Sequence, residues 1–299
     1  LNILVIKLSA LGDFVLAMPA FAAIRTHHAG AHITLLTTPP FAALARAAPW
    51  FDRVVLDARP RWWDFSAVLA LRRVLRAAAP GMVYDLQTSD RSSAYRRLLP
   101  AGVGWSGIAR GASHPHANPG RDAMHTLDRQ QQQLAMAGIG QFPPPALGWL
   151  RGARPGLPAR YGVLVPGAAP SRPEKRWPVA GFATVARAMA ARGMVPVIAG
   201  SAADAPVTRA LHEAVPEAID LAGRTDLFGL AALLGHAEAV VGNDTGPMHL
   251  AALLGTPGVV LFGADSDPAQ TAPRGPGMRV LAAPVLAALD AGQVIAALP

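Results

Sequence analysis

Strand-length apolar runs alternate with helix-length stretches twice along this chain, and a proline cluster separates the two series. In the first series, residues 3–8, 33–37, 54–56, 82–86 and 103–105 read as strands. Helices are expected between and after them over 14–28, 41–48, 65–79, 92–99 and 126–137. In the second series, 161–165, 195–199, 239–241 and 259–262 read as strands, with helices over 179–192 and 204–215. Residues 284–299 read as a terminal helix. A strand followed by a crossover helix returns parallel to its predecessor, so the pattern predicts α/β architecture with helices on both faces of parallel sheets. Two Rossmann-like domains are expected, residues 1–140 and 159–283. The linker between them, 141–158, is broken by Pro143, Pro144, Pro145, Pro155 and Pro158. Sheets of this kind bind ligands beyond the carboxyl ends of their strands, so the expected site is a central cleft faced by both sheets.

Composition narrows the chemistry. At 299 residues and 52% hydrophobic, the chain has material for two cores and is not a disordered segment. It contains no cysteine, which excludes disulfides, zinc–thiolate centres and thiol catalysis. The formal charge of +8 favours anionic partners, yet the arginines are scattered rather than gathered into a stripe, which argues against nucleic acid. Only two lysines occur, Lys7 and Lys175, and both fall in or beside loops at strand ends. The first strand begins at Ile3 with no leader-like run before it, and no apolar run reaches membrane-spanning length, so a cytoplasmic location is expected.

Three strand-end loops carry the candidate chemistry. After the first strand comes Lys7-Leu8-Ser9-Ala10-Leu11-Gly12-Asp13. A dinucleotide fingerprint would need three glycines here and only Gly12 is present, which excludes a nicotinamide or flavin fold of that type. Asp13 reads either as a helix cap or as a carboxylate base able to take a proton from an incoming hydroxyl. The second loop, Pro166 to Pro178, presents Arg172, Lys175 and Arg176. The third is Asn243-Asp244-Thr245-Gly246-Pro247-Met248-His249, a strand running through a polar turn into a helix. Unpaired amides and the positive end of the helix dipole suit such a turn to an anion, and a pyrophosphate fits the neighbouring basic loop.

In their order and spacing, Ile3–Pro19, Arg172–Pro178 and Asp244–Gly263 with Asp267-Pro268 resemble glycosyltransferase family 9, the heptosyltransferases of lipopolysaccharide inner core. The resemblance implies a GT-B fold with an amino-terminal acceptor domain and a carboxyl-terminal nucleotide-sugar domain. It implies inverting, metal-independent transfer of a heptose-type sugar from a nucleotide-diphosphate donor, ADP-heptose, with no cofactor, to a lipopolysaccharide core or related anionic glycolipid or oligosaccharide. By the same resemblance Asp13 is the base and Lys175 steadies the departing phosphate, while Asp244, Thr245, Gly246, His249 and Arg172 hold the donor. Asp204 stands where the family commonly places a ribose-binding glutamate. Residues 85–92 resemble an acceptor-facing strand end, which implies contacts from Gln87 and Arg91, although Arg91 also reads as a solvated helix-start residue. Thr126-Leu127-Asp128-Arg129 resembles a further family segment in which a structural role is expected for Arg129. A GT-B-shaped sugar-nucleotide epimerase and a non-catalytic nucleotide-sugar-binding protein are the alternatives.

Other signals read as ordinary. His114, His116 and His125 fall in a Pro/Gly/Asn-rich stretch expected to be a flexible loop rather than a metal centre. Arg61-Trp62-Trp63-Asp64-Phe65, followed by Arg72, Arg73 and Arg76, offers peripheral contact with the inner membrane surface. Core tryptophans beside a solvated helix face are the expected arrangement there.

Overall fold

The computed structural model describes residues 1–169 and 172–299, in two compact units, Leu1–Ala146 and Leu147–Pro299. The first unit is built on β1 (Asn2–Ile6), β2 (His32–Thr37), β3 (Arg53–Leu56), β4 (Met82–Asp85), β5 (Gly104–Gly107) and β6 (His114–Pro115). All pair in parallel, in the order β3-β2-β1-β4-β5-β6. The second unit repeats the plan with β7 (Tyr161–Val165), β8 (Val195–Ile198), β9 (Ile219–Asp220), β10 (Ala239–Asn243), β11 (Gly258–Phe262) and β12 (Met278–Ala282). Its parallel order is β12-β11-β10-β7-β8-β9. Each sheet therefore follows the doubly wound order 3-2-1-4-5-6, whose direction reverses between the first and fourth strands. Those switch points, β1/β4 and β7/β10, are where successive loops part and leave room for ligand.

Burial explains which strands are central. Apart from Asn2, β1 is buried, and β7, β10 and β11 are buried along their whole length, as expected of strands covered on both faces. Gly242 in β10 lies so close to its neighbours that a Cβ there would sit 2.6 Å from Met248 Sδ and 2.8 Å from Val165 Cβ. That absence of a side chain draws the helix Gly246–Leu253 down onto the β7/β10 junction.

Several elements differ from the sequence expectation. The first helix is two, Leu11–Leu16 and Met18–His27, because Pro19 near the start of the second cannot donate a backbone hydrogen bond. The later part of the expected linker is not a free connection. Residues Gly148–Arg151 form a helical turn that buries Leu150, sets Trp149 edge-on to Phe228, and bonds Arg151 to the Leu254 carbonyl. A helix absent from the expectation, Leu227–Gly235, is capped by Asp226, whose carboxylate accepts from Gly229 N at 2.7 Å. The terminal stretch is a 3₁₀ turn, Leu286–Ala288, then a short helix, Ala291–Ala296. Among the described residues no helix is long and apolar enough to cross a membrane.

Candidate functional site

At the β1/β4 switch point a polar cavity of about 230 Å³ is lined by Lys7, Asp13, Gln87, Thr88, Arg121, Asp122, Arg129, Gln130 and Gln133. Asp13 is the third residue of its helix and is exposed, with one carboxylate oxygen accepting from Ala10 N at 3.1 Å. That bond is the one the helix-cap reading expects, and the exposure of the carboxylate is compatible with the base reading. The backbone bond fixes the carboxylate at the helix start, and the remaining oxygen lone pairs stay available to a ligand. Gln133, on the helix Thr126–Met136, donates to the carbonyls of Asp85 (3.0 Å) and Ser106 (3.3 Å), and so holds that helix against the strand ends. One guanidinium nitrogen of Arg121 and Oε1 of Gln130 are buried without a hydrogen-bond partner among the described residues. Unsatisfied polar atoms in a cavity cost free energy until water or a ligand bonds to them.

Beneath the cavity lies a buried charged layer. Lys7 is almost wholly enclosed and donates from Nζ to the Leu86 carbonyl at 3.1 Å. Burial holds its ammonium below the ordinary lysine range, with Asp13 and then Asp85 pulling the other way and Arg129 adding to the depression. Asp85 is fully buried, and burial pushes its carboxyl up to about 6 despite bonds from Thr88 N, Ser92 Oγ and Gln87 N and the nearby Lys7 charge. Between the unfolded value near pH 4 and the folded value, the folded chain keeps a proton that the unfolded chain has lost. Stability therefore falls as pH rises through that window and stays lowered above it. A shift of two units corresponds to about 3 kcal/mol. Asp85→Asn, which cannot ionise, should gain on the parent by up to about 3 kcal/mol between pH 4 and pH 7. Urea unfolding at the two pH values checks this, and an unchanged difference would show that folding does not raise the Asp85 pKa.

At the β7/β10 switch point the organiser is Asn243, buried at the end of β10. Its Nδ2 donates to the carbonyls of Pro166 (2.8 Å) and Gly167 (3.3 Å), while Oδ1 accepts from Trp177 N at 3.0 Å. One side chain thereby ties both ends of the basic loop to the polar turn. Trp177 is itself buried and donates from Nε1 to the Leu289 carbonyl, which anchors the loop in the core. Lys175 then meets Asp244, Nζ to Oδ2 at 2.8 Å, and His249 Nε2 lies 3.9 Å from Asp244 Oδ1. Thr245 is the N-cap of the helix Gly246–Leu253, but its hydroxyl donates back to the Asn243 carbonyl; Pro247 has no N–H and Met248 N donates to the Thr245 carbonyl at 3.0 Å, so the Gly246 amide is the one left uncapped by a side chain in the first turn.

The structure thus brings Lys175, Asp244, Thr245, Gly246 and His249 together in the second unit and places Asp13 in the cavity of the first. Other expectations change. Gln87 lines the cavity, but its Oε1 accepts from Leu8 N and Ser9 N at 2.9 and 3.3 Å, so its first task is to pin the β1 loop. Arg91 lies outside the cavity lining. It donates to the Pro60 carbonyl at 3.1 Å and stacks over Trp62, because its short helix points it at that segment. Arg129, expected to be structural, lines the cavity with Asp13. Arg172 donates to the Asp265 carbonyl at 3.4 Å. Asp204 accepts from Ser201 N and Oγ at 2.9 and 2.7 Å, and its carboxylate fills the space where Gly167 lacks a Cβ.

The histidine stretch is not a loose loop. His116 and His125 are both buried; His125 Nδ1 accepts from Leu127 N to cap its helix, and His116 Nε2 meets Gln132 Oε1 at 2.8 Å. Burial depresses the His116 pKa, so the neutral ring can donate to Gln132 and accept from Arg121 Nε through Nδ1. That relay positions Arg121, a cavity residue that no local sequence pattern marks. Trp62 and Trp63, expected in the core, are exposed.

Two doubly wound units of this order, each with its polar groups gathered at the switch point, define a GT-B glycosyltransferase fold. Residues 68–289 match the family model for glycosyltransferase family 9 (heptosyltransferase), and the chain belongs to that family. It is 26% identical to lipopolysaccharide heptosyltransferase 1 of Salmonella typhimurium over 287 residues, 90% of each chain. Lipooligosaccharide heptosyltransferase 2 of Haemophilus influenzae is 37% identical over 99 residues, 31% of this chain and 29% of that one. The solved structure of Escherichia coli ADP-heptose lps heptosyltransferase II superposes with a TM-score of 0.79 at 23% identity, covering 99% of this chain and 97% of the other. Membership makes the chain a glycosyltransferase and sets aside both the epimerase and the non-catalytic alternative.

Proposed function

We propose that this protein transfers a heptose from ADP-heptose to an acceptor sugar of lipopolysaccharide core, with inversion and without a metal ion. The observation that carries the reading is the Lys175–Asp244–His249 cluster at the start of the Gly246–Leu253 helix. As the glycosidic bond breaks, negative charge collects on the leaving diphosphate. Lys175, with two ammonium hydrogens beyond the one directed at Asp244, and the Gly246 amide at the helix start supply preorganised donors for that charge. Cations and amides so arranged do the work that a divalent ion does elsewhere. In the first unit, Asp13 takes the proton of the acceptor hydroxyl, while Arg121 and Arg129 give the cavity cationic groups for an anionic acceptor. Direct displacement from one side inverts the anomeric carbon, so a β-configured donor gives an α-linked product. The adenine diphosphate donor is supported by the name of the E. coli relative, which is an ADP-heptose heptosyltransferase.

A thermal-shift panel of ADP, GDP and UDP, each with and without a chelator, tests the donor assignment. Ligand at a hundredfold excess over Kd stabilises the folded state by about 2.7 kcal/mol, which raises Tm by roughly 5–10 °C for a domain of this size. ADP should give that shift with the chelator present, and GDP and UDP should fall short of it. A shift that requires a divalent ion, or one larger for UDP, would overturn the metal-free or the adenine assignment respectively.

A further inference from the structure

We propose that His116, Gln132 and Asn118 are positioning residues that hold the Arg121 guanidinium ready for an anionic group of the acceptor. The inference rests on the reading of the first-unit cavity as the acceptor site. Three separate elements meet in this group. His116 follows β6 and its backbone N donates to the Gly107 carbonyl at the end of β5 (2.9 Å). Arg121 opens the turn Arg121–Ala123, and Gln132 lies on the helix Thr126–Met136.

One backbone amide fixes the direction of every hydrogen bond in the chain that follows it. Gly120 N donates to Asn118 Oδ1 at 2.8 Å, so Nδ2 is the end of that side chain that turns to Gln132 Oε1, at 2.7 Å. The same Oε1 meets His116 Nε2 at 2.8 Å, which requires a proton on Nε2. The neutral ring then carries its lone pair on Nδ1, where Arg121 Nε donates at 3.4 Å. Arg121 Nη1 is engaged by the exposed carboxylate of Asp122 at 2.6 Å, while Nη2 is buried without a hydrogen-bond partner among the described residues. Two of the three guanidinium nitrogens are therefore held, and the third is left for a ligand in the cavity that Arg121 lines. A guanidinium oriented in advance loses less rotamer freedom when an anion binds it.

The chain of bonds also gives acceptor binding a pH dependence. A proton on His116 Nδ1 would face the Arg121 N–H and end their bond. Arg121 and Asp122 face the ring from the turn, and Arg129 faces it from the helix. Burial above all, with the two arginines, holds the His116 pKa below the ordinary 6.5, against the Gln132 bond and the Asp122 charge. The ring is thus neutral at pH 7, and acceptor KM should rise as pH falls into the acid range.

Steady-state kinetics with acceptor and donor varied separately, between about pH 5 and pH 8, test this. R121M should raise acceptor KM about ten-fold or more. H116L should raise it about ten-fold while kcat and donor KM stay within about two-fold, the pattern for loss of a binding contact. H116N, whose Oδ1 can accept from Arg121 Nε and takes up no proton, should recover most of that loss and flatten the rise at low pH. Asp85 titrates in the same range but is common to parent and variant, so the difference between their profiles belongs to His116. Q132E favours the protonated ring and should move the rise to higher pH by about one unit. The H116N and Q132E profiles stand even where H116L folds poorly. A raised KM in R121M with parental KM and pH profile in H116L and Q132E would overturn the positioning role and leave the cavity reading intact. So would an H116L variant that loses Tm and kcat at unchanged acceptor KM, which is the mark of a merely structural histidine. Unchanged acceptor KM in R121M itself would remove Arg121 from acceptor binding, and the positioning role would fall with it.

Discussion

Asp13→Asn should lower kcat by about 10²-fold or more while leaving donor affinity and Tm close to those of the parent. The amide keeps the shape of the carboxylate, and its oxygen can still accept the bond that Ala10 N makes at 3.1 Å, so the helix start is preserved. What disappears is the capacity to hold the proton of an acceptor hydroxyl. A cap and a base are separable in this way because one acceptor oxygen suffices for the first and a proton affinity is needed for the second. Steady-state kinetics with a lipopolysaccharide core acceptor, together with isothermal titration of donor and a melting curve, give all three readouts. If turnover is kept and Tm falls instead, Asp13 is a helix-start residue and the base lies elsewhere. Loss of donor affinity in step with turnover would place Asp13 in nucleotide binding.

The two switch-point turns were legible because their punctuation is local. A buried strand, a polar turn and a helix start follow one another at Lys7–Asp13 and at Asn243–His249, and each segment carries its own apolar or capping signal. Convergence from distant segments was not legible in the same way. Arg121 reaches the cavity from a Gly/Asn-rich turn and is positioned by a His116–Gln132 relay, while Gln133 arrives from a helix whose glutamines show no periodic stripe. Nothing in residues 114–136 read in isolation distinguishes a cavity wall from a surface loop. The strands β6 and β9 carry no sequence signal because two residues at a sheet edge show no alternation, and β12 carries little because it is a half-exposed edge strand interrupted by Arg279. Trp62 and Trp63 were expected inside since aromatic residues are highly buried on average. Their exposure follows from the helix after them, whose buried stripe is only Leu71 and Leu75 and leaves the segment before it no core to enter.

Lys175→Met should lower kcat by roughly 10²–10³-fold, the loss of one preorganised charge donor worth about 3–4 kcal/mol. The substitution has a second consequence that must be separated from the first. The side chains of Lys175 and Asp244 are 17% and 9% exposed, so removing the ammonium strands a largely buried carboxylate and lowers stability by up to about 3 kcal/mol. Adding Asp244→Asn to Lys175→Met removes that stranded charge, and the double variant should regain most of the lost stability. If Lys175 serves the leaving diphosphate, turnover in the double variant stays low although Tm recovers. Asp244 belongs to the same cluster, so Asp244→Asn alone is the reference: if Lys175 only offsets the Asp244 charge, adding Lys175→Met to Asp244→Asn should cost no further turnover. Lys175→Arg sharpens the distinction, because a planar fork keeps the charge but not the compact ammonium between Asp244 and a phosphate oxygen. Stability near that of the parent with turnover still reduced at least ten-fold is the expected result for the arginine variant, and full activity would show that any cation at this position suffices.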